Sequence, residues 1–63
     1  MKYDRVAQIR IDGPLISAFE LCAISKKPIR YYEDTNQSDV GMYNIIDAKA
    51  GLSGYINFYL KRV

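Results

Sequence analysis

Between the breaker Asp12-Gly13-Pro14 and the next proline, Pro28, lies one helix-forming segment that is apolar on almost every side. That property constrains the fold more than any other. A helix that is hydrophobic nearly all round has to be covered on two sides, and a chain of 63 residues has little material to do it with. Asp12 or Gly13 can cap the segment, and Pro14 suits its first turn, where a missing N–H costs nothing. Ser17-Ala18-Phe19-Glu20 also reads as a capping box that would start the helix one turn later; the Pro14 start is preferred. The helix is expected to run to Lys26 or Lys27, whose charges would complement its C-terminal dipole.

At about 100° per residue, Leu15, Phe19 and Cys22 cluster, with Ile16, Ala18 and Ala23 on their flanks. This stripe suffices to pack on a sheet. Leu21 and Ile24 project from the opposite side beside Ser17, with Glu20 and Lys27 forming a narrow polar strip between. Burying a Leu or Ile side chain is worth about 1.5–3 kcal/mol, a large amount for a domain this small. Leu21, Ile24 and Ser17 are therefore expected to form a protein interface, against a second copy or another protein. Two competing readings are a loop folding over them, from Thr35–Asp39 or Lys49–Ser53, and simple exposure.

Composition removes two other means of stabilising a thin core and leaves dense packing or association, of which association is preferred. A chain of this size buries only about 60% of its unfolded surface, and such domains use unusually efficient packing, staples or partners. Cys22 is the only cysteine and there is no histidine, so neither an internal disulfide nor a structural zinc site can form. With 49% hydrophobic and 25% charged residues the chain is not a disordered type. No run of about 18 apolar residues exists, and Met1-Lys2-Tyr3-Asp4-Arg5 lacks the apolar core of a secretory signal. The expectation is a single cytoplasmic domain over residues 1–63, with no membrane contact, no metal and no cofactor. Asn36-Gln37-Ser38 matches a glycosylation sequon but is read as a plain polar loop.

The remaining segments read as strands. Tyr3 to Ile11 would place Ala7, Ile9 and Ile11 on a core face, with Val6 on the wrong side. Ile29 to Glu33 is a short strand, Asp34–Asp39 a loop, and Val40 to Ile46 a third strand with Gly41 marking a bulge. Asp47 to Gly54 reads as a turn. In Tyr55 to Arg62, Ile56, Phe58 and Leu60 alternate with Tyr55, Asn57, Tyr59 and Lys61. The fold class is α+β: β-α-β-β-β, an antiparallel sheet with one helix packed on one face.

Six tyrosines are many for this length. Tyr55, Asn57, Tyr59 and Lys61 would line the outer face of the last strand, joined by Gln8 and Arg10 if the first strand is its neighbour. Arg30 and Tyr32 would join them from the second strand. Such a face can stack unpaired bases and meet phosphates, or contact protein. Alternatively, its tyrosines reflect β propensity alone. Net charge +2 permits nucleic acid without arguing for it.

No catalytic constellation is legible. Cys22 and the serines have no histidine to activate them, and Cys22 falls on the core stripe. Asp34, Asp39 and Asp47 lack the spacing of a cation loop, and Ala50-Gly51-Leu52-Ser53-Gly54 lacks the P-loop lysine. The sequence therefore points to a small non-enzymatic protein-binding module, self-associating through its helix. It would act as an adaptor, inhibitor or regulator by occupying a surface, as many short phage and mobile-element proteins do. A nucleic-acid-binding regulator using the tyrosine face is the alternative, and an assembly subunit a third reading.

Overall fold

A computed structural model describes residues 2–31 and 41–63. The expected loop at Asp34–Asp39, the sequon at Asn36-Gln37-Ser38, and Tyr32, Glu33 and Val40 lie outside them. The described elements are β1 (Arg5–Arg10), α1 (Ile16–Ser25), β2 (Ile29–Tyr31), β3 (Gly41–Ala50) and β4 (Tyr55–Arg62). The strands form one antiparallel sheet in the order β1-β4-β3-β2. β1 and β2 are thus opposite edges, and α1 carries the chain across one face of the sheet between them. It packs over β3. The α+β class and the antiparallel sheet with a single covering helix are as the sequence indicates.

The core lies between α1 and the covered face. Ala7, Ile9, Phe19, Tyr43, Phe58 and Leu60 are buried, with Ile16, Ile29, Tyr31, Ile45 and Ile56 packed against them. Pairing explains the sizes. Phe58 lies opposite Ala7 on one side and Ala48 on the other, so two methyl groups leave room for one large ring. Phe19 descends from the helix onto it, ring centroids 5.1 Å apart. Tyr31 and Tyr43 continue the aromatic cluster towards β2, with edge contacts at 6.1 Å to Phe19 and 6.4 Å to each other.

Several boundaries differ from expectation. β1 stops at Arg10, because Gly13 N–H donates to Arg10 O at 3.1 Å and turns the chain. Ile11 therefore lies beyond the strand and is exposed rather than in the core. Val6, the residue out of pattern, does sit on the uncovered face, opposite Tyr59. The helix is shorter than the Pro14 start implies. Leu15 precedes it with no side-chain cap, and the capping-box hydrogen bond of Ser17 is not made. Leu15, outside the helical turns, is exposed, and so is Ala18. The buried stripe accordingly centres on Phe19, with Ile16, Cys22 and Ala23 half-buried.

At the other end the helix closes at Ser25, whose Oγ donates to Leu21 O at 2.8 Å. Lys26 is not in the last turn; it is left-handed, at φ 60° and ψ 28°. A side chain there costs roughly 1–2 kcal/mol, which glycine avoids at a smaller entropic cost. Lys26→Gly is expected to stabilise the fold by about 0.5–1 kcal/mol, read as a higher urea midpoint at unchanged slope. A lower midpoint would refute this.

β3 is the largest departure. It continues through Ala50, so Asp47–Ala50 is strand and not turn. The bulge falls between Ile45 and Asp47, not at Gly41. Gly41 pairs regularly with Tyr31 and is needed for a different reason. A Cβ at Gly41 would lie 3.0 Å from Cε2 of Tyr43 and 3.3 Å from a guanidinium nitrogen of Arg62. The Tyr43 ring is buried and cannot swing away. Gly41→Ala should cost about 1–3 kcal/mol by overpacking, and denaturation with no loss of midpoint would show that the ring yields freely. The true turn is Gly51–Gly54, closed by Tyr55 N–H donating to Leu52 O at 2.8 Å, with Gly54 at φ 83°.

The chain ends are tied to the sheet. Asp4 N–H donates to Leu60 O and its carboxylate accepts from Arg62 N–H, both at 2.7 Å, while Val63 N–H donates to Met42 O at 3.0 Å.

Candidate functional site

Among the described residues, one helix crossing one face of a four-stranded sheet leaves two broad surfaces uncovered. They are the back of α1 and the far side of the sheet. The described residues singled out from the sequence as candidate interface or binding residues lie on one or the other.

On the back of α1, Ser17, Leu21 and Ile24 are spaced i, i+4, i+7 and share one stripe. All three are exposed, Leu21 to 67% and Ile24 to 82%. The segment Lys49–Ser53, offered from the sequence as a covering loop, does not cover them. The alternative cover, Thr35–Asp39, lies outside the described residues.

On the far side of the sheet the register brings together side chains from all four strands. Arg10 lies opposite Tyr55, Gln8 opposite Asn57, and Val6 opposite Tyr59. From β3, Lys49 lies opposite Asn57, Asp47 opposite Tyr59, and Asn44 opposite Lys61. Arg30 joins at the β2 edge opposite Met42. Arg10, Arg30, Tyr55, Asn57, Tyr59 and Lys61 therefore share one face, as their alternation suggests; Tyr32 lies outside the described residues. The tyrosines and Asn57 are half-exposed, and the cations are exposed.

Two contacts shape this face. The Tyr3 ring meets Tyr59 edge-on with centroids 4.9 Å apart, and Lys49 Nζ lies 5.8 Å from the Tyr59 centroid. Asp47 turns its carboxylate onto its own strand, accepting from Ala48 N–H at 2.8 Å. Arg10 pairs with Asp12 at 3.3 Å, but both are exposed, so the pair is weak.

Tyr3, Lys49 and Asp47 were not placed here by sequence. Reading Asp47–Gly54 as a turn hid Asp47 and Lys49, although their alternation with Ala48 and Ala50 is a strand signal. The tyrosines divide by strand parity. Tyr31 and Tyr43 belong to the core, and Arg62 lies 5.7 Å from the Tyr43 centroid and donates to its hydroxyl at 3.3 Å. Arg62 thus serves the covered face.

Little in the interior suggests chemistry. Among the described residues no buried side-chain polar atom lacks a hydrogen-bond partner, and no three His, Cys, Asp or Glu side chains converge as metal ligands. Cys22 is half-buried on the helix flank. A shallow groove of about 530 Å³ runs beside the β3 bulge, lined by Ala23, Lys26 and residues 44–48. No helix among the described residues is long and apolar enough to cross a membrane. Set against known protein families, curated proteins and solved structures, the chain matches none of them.

Proposed function

We propose that this protein is a small binding module that self-associates through the back of α1 and works by occupying a surface, as an adaptor, inhibitor or regulator, with no chemistry of its own. The observation that carries the reading is the exposure of Leu21 and Ile24 on a single stripe with Ser17. Two large aliphatic side chains one turn apart, on a chain with so thin a core, favour a partner that removes them from water. A second copy fits this stripe because a two-fold interface sets a patch against itself, and Ser17 lets the two helices approach closely.

Sedimentation velocity of the whole chain, from micromolar to near-millimolar concentration, tests the proposal. The expected result is a mass that rises to a multiple of the monomer with concentration. A single 7.2 kDa species throughout would end it.

A further inference from the structure

The uncovered sheet face has a different composition from the helix back, and its charge identifies a different occupant. Its charged side chains among the described residues are Arg10, Arg30, Lys49 and Lys61 against Asp47, which is engaged with its own backbone, and Asp12, which pairs with Arg10 at the margin. Net charge over the whole chain is only +2, so this face concentrates the excess. Two half-exposed tyrosines stand on β4 within that field. Tyr55 and Tyr59 are four residues apart, about 13 Å at the rise of a strand, and separated by the hydrogen-bonding amide of Asn57.

We infer that this face binds an unpaired nucleic-acid strand, with bases stacked on Tyr55 and Tyr59 and phosphates met by Arg10, Arg30, Lys49 and Lys61. The inference goes beyond the helix-mediated association and is independent of it, because the two surfaces lie on opposite sides of the sheet. Stacking needs a ring held at a fixed attitude, and Tyr59 is braced edge-on by Tyr3. It also benefits from a cation close to the ring, which Lys49 supplies. Bases in a duplex present no open faces to such rings, so the surface suits a single strand. Asn57 and Gln8, opposite each other between the two aromatic rows, offer amide groups to base edges.

Fluorescence anisotropy with labelled oligo-dT, oligo-U and a duplex of equal length tests this, and the first two separate DNA from RNA as the preferred strand. With about four phosphates neutralised, the logarithmic salt slope should be near −3, a loss of about 50-fold between 50 and 200 mM salt. Lys49→Gln with Lys61→Gln should reduce that slope by about 1.4. Tyr55→Thr and Tyr59→Thr, which keep strand propensity, should each weaken binding about 10-fold, while Tyr59→Phe retains it. Circular dichroism of each variant separates loss of binding from loss of fold. No binding at the lowest salt, equal affinity for duplex, or affinity unmoved by the folded Tyr→Thr variants would overturn the inference. So would a protein partner that protects this face while the oligonucleotides do not.

Discussion

Phe58→Ala is expected to leave the chain unfolded at room temperature. A domain of this length has about 3–9 kcal/mol of stability in total, and removing a buried phenylalanine costs about 3–5 kcal/mol. Phe58 lies at the costly end because its surroundings cannot collapse. Its ring is 2% exposed, its cross-strand neighbours are Ala7 and Ala48, and neither methyl group reaches into the space it would vacate. Phe19 would lose its principal partner, and with it the contact that seats α1 on the sheet. Phe58→Leu, which keeps most of the volume, should cost on the order of 1 kcal/mol and remain folded. The measurement is far-ultraviolet circular dichroism with urea titration. A cooperative transition for Phe58→Ala near that of the parent would mean that the core is centred elsewhere.

The double substitution Leu21→Lys with Ile24→Asp is expected to abolish self-association without unfolding the monomer. In a two-fold contact each residue is buried twice, so four aliphatic side chains contribute about 6–12 kcal/mol before the cost of association. Replacing them by charges should raise the dissociation constant by more than about 100-fold, since each factor of ten is about 1.4 kcal/mol. The new charges stand three residues apart on the helix and can pair with each other. The single chain should therefore keep its secondary structure and melt as the dilute parent does. Sedimentation gives the association state and circular dichroism the fold. If the variant is a monomer that has lost its strands, the parent covers Leu21 and Ile24 with its own chain. If it still associates like the parent, the contact lies on another surface.

Much of the candidate site was legible because the two surfaces are written as local periodicities. The alternation in Tyr55–Arg62 separates Ile56, Phe58 and Leu60 from Tyr55, Asn57, Tyr59 and Lys61 whatever the strand pairs with. Likewise, Ser17, Leu21 and Ile24 share a stripe on any helix that contains them. Arg10 and Gln8 could be assigned only conditionally, since their place on the face depends on β1 lying beside β4. Lys49 was missed for a related reason. A glycine-rich stretch beginning at Gly51 extended the apparent turn backwards over residues that the sheet holds extended.

By itself, then, the sequence determined the element order, the inward side of β4, and the unusually apolar helix. These follow from periods of two and 3.6 residues, which each short segment carries in its own side chains. Only the tertiary structure decided that β1 pairs with β4, that β3 runs on to Ala50 with its bulge between Ile45 and Asp47, and that the helix begins at Ile16. Those choices are set by partners far away along the chain. Ala48 is strand because it pairs with Phe58 of β4, and Leu15 lies outside the helix, which begins at Ile16. No neighbour in sequence carries that information.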